Sequence, residues 1–219
     1  VRDYVKEKVG DKYLNDVLFV TQRPEEIPFD ELPEKYAVKA NHGCGWNIII
    51  DGTEPVDKDQ IISKCNQWLK MTYGVNGYET MYEDIEPWII IECYIETENF
   101  RAPHDYKFYC FHGKAKCVQY QIGRFQGFEQ TFYDENWVPL DLMMRIPMAD
   151  PIERPPLYDE MLRVAEKLSE DFDFARVDLY SPNDKSIIFG EITVSPGSGG
   201  LGLEPREWDW KLGAHWKMS

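Results

Sequence analysis

Apolar and polar residues alternate with a period of two through much of the chain, which predicts short β-strands, and a helical period appears in only a few segments. Each helical segment has one apolar face and begins near prolines or ends near a glycine. The predicted helices are residues 1–10, 57–72 and 155–172. The predicted strands are residues 17–20, 36–39, 47–51, 89–91, 105–111, 115–122, 129–133, 176–179 and 187–194.

The last two predicted strands form a hairpin, because the residues between them, Ser181–Lys185, have turn chemistry. The predicted antiparallel partners are Asp178 with Glu191, Arg176 with Thr193, and Tyr180 with Phe189. These six side chains share one face, since side chains alternate along a strand. The opposite face is the predicted core side and carries Val177, Leu179, Ile188, Ile192 and Val194.

Two carboxylates that face each other across a ladder lie about 5 Å apart and repel, so a fold tolerates them when a cation lies between them. Carboxylate oxygens suit a hard ion, and Mg²⁺ held by one or two carboxylates usually also binds substrate phosphates. The alternative is an ordinary hairpin with a solvated polar face. Arg176 on the same face and the glycine-rich run Ser195–Gly200 after the strand favour the metal site.

A second candidate site follows the predicted strand 36–39. The loop Asn41–Trp46 contains Gly43 and Gly45, and Lys39 lies at its base. Free backbone N–H groups beside a lysine can bind phosphate. The loop lacks the GKS/T ending and the following helix of a P-loop, and without Lys39 a plain hairpin turn would be the simpler interpretation.

Composition and charge narrow the class of protein. The chain has 219 residues, 43% of them hydrophobic, which is enough for one large domain or two small lobes. The net charge of −15 argues against a nucleic-acid or anionic-membrane partner, and no apolar run has the length of a transmembrane helix. Five cysteines without CxxC spacing predict reduced thiols in a cytoplasmic protein.

The hairpin also carries a family resemblance. Arg176-Val177-Asp178, then Glu191 and then Ser195-Pro196-Gly197, resembles the pattern of ATP-grasp ligases such as D-alanine–D-alanine ligase. Over essentially the whole chain, the strings KANHGCGWNIII, HDYKFYCFHGK, FARVDLY, FGEITVSPGSGG and REWDWKLG resemble the TupA-like ATP-grasp family. That family is associated with teichuronopeptide and other cell-surface polysaccharide synthesis.

The resemblance implies an α+β ATP-grasp fold, in which two α+β lobes grip the nucleotide between antiparallel sheets. It implies a lead-in segment at residues 1–35, a small lobe with the glycine loop at residues 36–95, and a large lobe with the metal hairpin at residues 96–219.

The resemblance also implies roles for single residues. Asp178, Glu191 and Thr193 would hold Mg²⁺, and Thr193 stands where the broad family has an asparagine, a better ligand than a hydroxyl. The implied ATP-binding residues are Lys39, His42, Gly43, Gly45, Glu92, Cys93, Tyr94, Glu96 and Lys107, with backbone groups near residues 92–94 at adenine and Glu96 or Glu98 at the ribose. The implied catalytic residues are Arg176 and Lys107 at the transferring phosphate and Gly197 beside the acceptor.

A Mg-ATP-dependent carboxylate–amine ligase follows from the resemblance, with an acyl-phosphate intermediate and small-molecule or polymer-linked carboxylate and amine substrates. Two other interpretations stay open: an ATP-grasp phosphotransferase with a hydroxyl acceptor, and a nucleotide-binding module without turnover. The family usually has a second phosphate-binding lysine upstream. We therefore expect either a longer natural chain or substitution by Lys6, Lys8 or Lys12.

Overall fold

The structure is a computed structural model that describes residues 1–74, 79, 82–97, 102–125, 127–200 and 202–217. The chain divides into two compact units, which we call the small unit, Asn15–Tyr94, and the large unit, Val1–Leu14 with Ile95–Ser219. The predicted lead-in segment, residues 1–35, is thus shared between the two units.

The predicted elements occur in the predicted order, and the structure adds a fourth helix near the C-terminus. The helices are α1 (Arg2–Val9), α2 (Lys58–Trp68), α3 (Tyr158–Ser169) and α4 (Glu207–Gly213). The strands are β1 (Val17–Thr21), β2 (Tyr36–Ala40), β3 (Asn47–Ile50), β4 (Ile89–Cys93), β5 (Asp105–Phe111), β6 (Lys114–Ile122), β7 (Glu129–Tyr133), β8 (Phe174–Tyr180) and β9 (Ile188–Thr193). Within the described ranges, no helix has the length and apolar character needed to cross a membrane.

The small unit is an antiparallel sheet in the order β1-β4-β2-β3, with α2 beside it. The apolar run predicted for β4 lies inside the sheet, and Ile89 and Ile91 are fully buried. Asp57 caps α2, because its side chain accepts the N–H of Gln60 at 2.9 Å. The helix ends at Trp68, earlier than the predicted residue 72.

The large unit is a five-stranded antiparallel sheet in the order β7-β6-β5-β8-β9. Strand alternation separates its two faces. Buried apolar side chains cover one face, where α3 packs with Met161, Val164 and Leu168. The side chains of this face include Tyr106, Phe108, Cys110, Val118, Tyr120, Val177 and Leu179. The opposite face carries charged and amide side chains of the strands, among them Asp105, Lys107, Gln119, Gln121, Arg176 and Asp178.

The hairpin of β8 and β9 has the predicted register for two pairs and a bulge beyond them. Asp178 pairs with Glu191 and Arg176 with Thr193, as predicted. The prediction for Tyr180 is wrong, because this residue pairs with Ile188, while Phe189 pairs with Leu179. Gly190 is the extra residue, which is where a β-bulge inserts.

The bulge changes which side chains of β9 meet the core. Phe189 packs against the core in place of Ile188, whereas Val194, expected on the core side, is 42% exposed. A Cβ at Gly190 would lie only 3.1 Å from the backbone oxygen of Asp178, so the close approach of the two strands favours glycine there.

The C-terminal tail packs on the large unit in part. The Trp208 indole N–H donates to the backbone oxygen of Asp141 at 2.6 Å, and the Trp216 ring stacks on Phe174 with centroids 5.3 Å apart. Trp210 is 77% exposed and takes no part in this packing.

Candidate functional site

A network of charged side chains occupies the polar face of the large sheet, with Asp178 at its centre. Asp178 is 1% exposed. Arg176 donates from Nε to Oδ1 at 2.7 Å and from Nη2 to Oδ2 at 2.8 Å, and the ammonium of Lys107 pairs with the same Oδ2. Burial alone would raise the pKa of Asp178, but the positive charges of Lys107 and Arg176 outweigh it and hold this pKa below its usual range.

Lys107 is buried and joins two carboxylates. Its Nζ lies 2.7 Å from Oδ2 of Asp105, in addition to its pair with Asp178, and Arg124 also donates to Asp105 at 3.0 Å. Burial opposes the charge of Lys107, but Asp178 and Asp105 outweigh it and raise its pKa. Burial raises the pKa of Asp105 despite the nearby Lys107. The network therefore consists of buried charges, each of which is paired with a charge of opposite sign.

The cation between the two facing carboxylates is the guanidinium of Arg176. Arg176 Nη2 pairs with Glu191 as well as with Asp178, and it lies 3.3 Å from the Thr193 hydroxyl. That hydroxyl donates to Glu191 Oε1 at 2.8 Å. Burial and the charge of Asp178 raise the pKa of Glu191, although its half-exposed side chain lets solvent limit the effect.

The predicted metal ligands Asp178, Glu191 and Thr193 are thus brought together by the sheet, but Arg176 occupies the position between them. No group of three or more Asp, Glu, His or Cys that could hold a metal ion is found within the described ranges. The repulsion that suggested a metal from the sequence is offset here by a side chain of the protein itself.

The loop after β9 closes one side of a cavity of about 220 Å³ in the large unit. Pro196–Gly199 form a 3₁₀ turn, in which Gly197 and Ser198 both have φ of +54°, a left-handed conformation that suits glycine. Gly197 lines the cavity, so the structure places it beside Lys107 and Arg176. Further lining residues are Tyr109, Gln119, Gln121 and Arg145.

Sequence reasoning missed these further lining residues. Gln119 and Gln121 stand two positions apart in β6, among the apolar residues Val118, Tyr120 and Ile122. That alternation could have revealed a polar face aimed at a ligand. Arg145 stands outside the helices and strands, and no local pattern marks it.

Lys39 belongs to the small unit, where it pairs with an acid. Its Nζ lies 2.7 Å from Glu92 Oε2, and its side chain is 39% exposed. Glu92 also accepts from Asn15 Nδ2 at 3.4 Å. Lys39 thus lies at the base of the glycine loop, where its side chain is paired with Glu92 and remains partly exposed to solvent.

The glycine loop is organised by His42, whose side chain turns into the small unit. His42 is 3% exposed, its Nε2 lies 2.9 Å from the backbone oxygen of Trp68, and its Nδ1 lies 3.2 Å from Asn41 Oδ1. The expected ATP-binding role stays a prediction, and in this structure the imidazole has a protein partner at each of its ring nitrogens. It connects the loop to the end of α2.

The two glycines of the loop differ in their surroundings. A Cβ at Gly43 would lie 2.5 Å from the Trp46 ring, so this position requires glycine. Gly45 has φ of +73° and nothing within 4 Å of its Cβ position. The backbone near Gly45 is therefore the open part of the loop.

The segment expected to contact adenine begins inside β4. The N–H of Cys93 donates to the Asp16 oxygen at 2.9 Å, and its own carbonyl accepts from Asn15 at 2.8 Å. The N–H of Cys93 is therefore already bonded, whereas its carbonyl oxygen can still accept a second bond, and the expected contacts of Cys93 and Tyr94 with adenine stay predictions. Glu96 follows it in the described part of the chain, and Glu98, the alternative acid, lies outside the described residues.

Three lysines were expected to replace a phosphate-binding lysine further upstream. Lys6 and Lys8 lie in α1, and Lys12 lies in the short 3₁₀ turn that follows it. Lys8 pairs with Glu170 at 2.8 Å and Lys12 with Glu160 at 2.8 Å, while Lys6 stands 3.9 Å from Asp11. Lys8 and Lys12 therefore hold the N-terminal segment against the ends of α3.

Comparisons with known proteins agree with this architecture. The model of the TupA-like ATP-grasp family matches residues 1–217. No curated protein matches the chain.

Several solved structures are similar to the chain. An ADP complex of N5-carboxyaminoimidazole ribonucleotide synthetase has a TM-score of 0.52 and 11% identity, with 87% of this chain and 42% of that chain covered. The ATP-grasp ligase PsnB with a minimal precursor has a TM-score of 0.50 and 12% identity, covering 99% and 58%. D-alanine–D-alanine ligase from Bacillus anthracis with ATP has a TM-score of 0.48 and 18% identity, covering 88% and 51%.

The chain spans about half of the length of these solved proteins. At such identities the likeness concerns the fold alone, and the expected α+β ATP-grasp fold is confirmed.

Proposed function

The chain belongs to the TupA-like ATP-grasp family, and from this membership we propose that it is a Mg-ATP-dependent ligase that joins a carboxylate to an amine in building a cell-surface polysaccharide or peptide-polysaccharide. One observation carries the proposal. Asp178 and Glu191 face each other across β8 and β9, and Lys107 and Arg176 lie on the same face. Acidic ligands for a hard cation thus stand beside cations for a transferring phosphate.

The oxygen donors of this site fit Mg²⁺. Asp178 and Glu191 offer carboxylate oxygens and Thr193 adds a hydroxyl, a donor set that hard cations prefer. The proposal requires Lys107 and Arg176 to turn from Asp178 towards the phosphates of the nucleotide, because they hold both oxygens of this carboxylate. Bound Mg²⁺ supplies charge neutralisation at the phosphates.

The remaining residues have separate roles in the proposal. Lys39 and the backbone near Gly45 bind ATP phosphates, and Tyr94 and Glu96 contact the nucleoside. Lys107 and Arg176 stabilise the transferring phosphoryl group, and Gly197 lets the backbone approach the acceptor. A carboxylate oxygen attacks the γ-phosphorus and ADP leaves; the amine nitrogen then attacks the acyl carbon and inorganic phosphate leaves. The chemistry needs no nucleophilic side chain.

Two measurements test the proposal. Calorimetry with ATP should show binding that is much stronger with Mg²⁺ than with a chelator. Hydroxylamine should then replace the amine, because an acyl phosphate reacts with it to give a hydroxamate, which is detected as its ferric complex. A panel of amino acids and sugar acids supplies the carboxylate.

The expected result is hydroxamate and ADP in equal amounts with at least one acid, and neither product with Glu191→Gln. ADP formed without hydroxamate would point to phosphoryl transfer to a hydroxyl. An absence of ATP binding in the presence of Mg²⁺ would refute the proposal altogether.

A further inference from the structure

We infer that the cavity beside Lys107 and Arg176 binds a small substrate that carries an anionic group together with a hydroxyl or amine hydrogen-bond donor. This inference rests on the proposed function, since it names the substrate class of the same site. Two groups of the lining lead to it, namely a cationic side chain without an ion pair among the described residues and a buried hydrogen-bond acceptor without a partner there.

The charge without an ion-pair partner is that of Arg145. Among the described residues, the cavity is lined by three cationic side chains, Lys107, Arg176 and Arg145, and by no carboxylate. Lys107 and Arg176 are compensated by Asp105, Asp178 and Glu191. Arg145 is exposed and has no ion pair with any described residue. An anionic group of a ligand in this cavity would supply the missing counter-charge.

The unsatisfied acceptor is Oε1 of Gln121. Gln121 is 6% exposed and lines the cavity, and its Oε1 is shielded from solvent without a hydrogen-bond partner in the described structure. A buried acceptor left in this state costs free energy, so such groups are rare in folded proteins. A hydroxyl or an amine of a ligand would satisfy it.

Two neighbours strengthen the case for Gln121. Gln119 lines the same cavity and is satisfied, because it accepts from the Tyr109 hydroxyl at 3.0 Å and donates to Gln130 at 2.7 Å. Asp105 pairs with Gln121 in the ladder, and its Oδ1 also lacks a partner. The facing residues Gln121 and Asp105 thus each carry an acceptor oxygen without a hydrogen-bond donor among the described residues.

The size of the cavity limits the ligand. Its volume of about 220 Å³ is well above the roughly 10–15 Å³ that admits a single water. That is room for one amino acid or one sugar-acid unit. The substrate class is therefore a single hydroxy acid or amino acid, free or at the end of a longer molecule.

Calorimetry without nucleotide, with L-malate, succinate and L-malamide as probes, tests the inference. Succinate lacks only the hydroxyl of malate, and malamide keeps the hydroxyl but replaces both carboxylates with neutral amides. We expect malate to bind about two- to tenfold tighter than succinate, as a net hydrogen bond gives, and about ten- to a hundredfold tighter than malamide.

Each preference should depend on one residue. Gln121→Met should remove the preference for malate over succinate, and Arg145→Gln should reduce the preference over malamide by about tenfold. Arg163→Gln is the matched control, because Arg163 lies on α3, which packs on the other face of the sheet. It should change neither ratio.

Failure of malate to bind, or equal binding of malate and succinate, would overturn the inference. So would a Gln121→Met variant that melts earlier but keeps the preference, since Gln121 would then serve Asp105 within the ladder. The binding test contains no nucleotide, so it is independent of the hydroxamate assay. Selective malate binding without ATP-dependent hydroxamate would support the inference and reject the proposed function. ATP-dependent hydroxamate without selective malate binding would reject the inference and support the proposed function.

Discussion

Asp178 and Glu191 occupy facing positions of one ladder, yet their neutral amides should have opposite effects on stability. Asp178→Asn removes the carboxylate that Lys107 and Arg176 share at the buried centre of the network. Glu191→Gln removes a half-exposed carboxylate that is repelled by Asp178 and attracted by Arg176. Both changes should abolish the proposed turnover, so stability separates the two residues where activity cannot.

The magnitudes follow from burial and from the partners that remain. Breaking a buried ion pair by removing one member costs about 3–5 kcal/mol. Lys107 keeps Asp105 and Arg176 keeps Glu191, so we expect a loss of about 2–3 kcal/mol for Asp178→Asn. For a chain of this size, that lowers Tm by about 4–12 °C. Glu191→Gln should change stability by no more than about 1 kcal/mol, in the direction of a gain.

The pH dependence should also have opposite signs. The folded-state pKa of Asp178 is lowered, so its stabilising effect is present above the unfolded-state pKa of about 3.9 and is lost as pH falls through the folded value. The pKa of Glu191 is raised, so its ionised form costs stability at neutral pH and this cost disappears in acid. Both differences from the wild type should therefore shrink as the solution becomes acidic.

Thermal and urea unfolding of the wild type and both variants, at neutral pH and stepwise towards acid, would measure these effects. Asp150→Asn, at an exposed acid, is the control for loss of one negative charge and should be close to neutral. If Glu191→Gln lost as much stability as Asp178→Asn, or if Asp178→Asn were neutral, the network would not be organised around Asp178.

Three further changes probe other parts of the molecule. Lys39→Met should weaken Mg-ATP binding about ten- to a hundredfold by calorimetry, while Lys64→Met, at an exposed lysine of α2, should not. His42→Phe should lower the free energy of unfolding by about 0.5–1.5 kcal/mol, because the Trp68 carbonyl loses the His42 ring as a partner and keeps the N–H of Met71; urea unfolding measures this, and a large loss of ATP affinity with normal stability would contradict the structural role. Gly197→Val forces a β-branched residue to φ near +54°, so it should weaken malate binding more than ATP binding, and equal losses would argue against its place beside the cavity.

The hairpin shows how far sequence alone can go. Alternation and turn chemistry were sufficient to place Asp178 opposite Glu191 and Arg176 opposite Thr193, because both pairs lie on the regular side of the ladder. The predicted register is wrong on the turn side of Gly190, because the bulge there shifts the pairs between it and the turn. A period-two pattern contains no signal for an added residue. A glycine inside a strand was the available hint.

His42 and Arg145 both have contacts that depend on remote parts of the chain. His42 precedes the two glycines of the loop, but its Nε2 contacts the backbone oxygen of Trp68, which is distant in sequence and meets it only through the packing of α2. Arg145 became a candidate because a fold brings it to the cavity with Gln121. Local periodicity reports which face a residue occupies, and it cannot report which remote residue completes that face.

Arg176 links the resting network to the proposed chemistry. Its guanidinium separates two carboxylates that would otherwise repel, so the fold is stable with its acidic ligands already facing each other. In the proposal, Asp178 can ligate a cation only when Arg176 and Lys107 have another anion to pair with, and the phosphates of ATP are that anion. Metal binding at Asp178 should therefore depend on the nucleotide. An Arg176→Gln variant, in which one of the two cations no longer competes for Asp178, should bind Mn²⁺ in place of Mg²⁺ without ATP more tightly than the wild type, as electron paramagnetic resonance of the free ion would measure. Equal Mn²⁺ affinity in the two proteins would show that Arg176 does not compete with the metal.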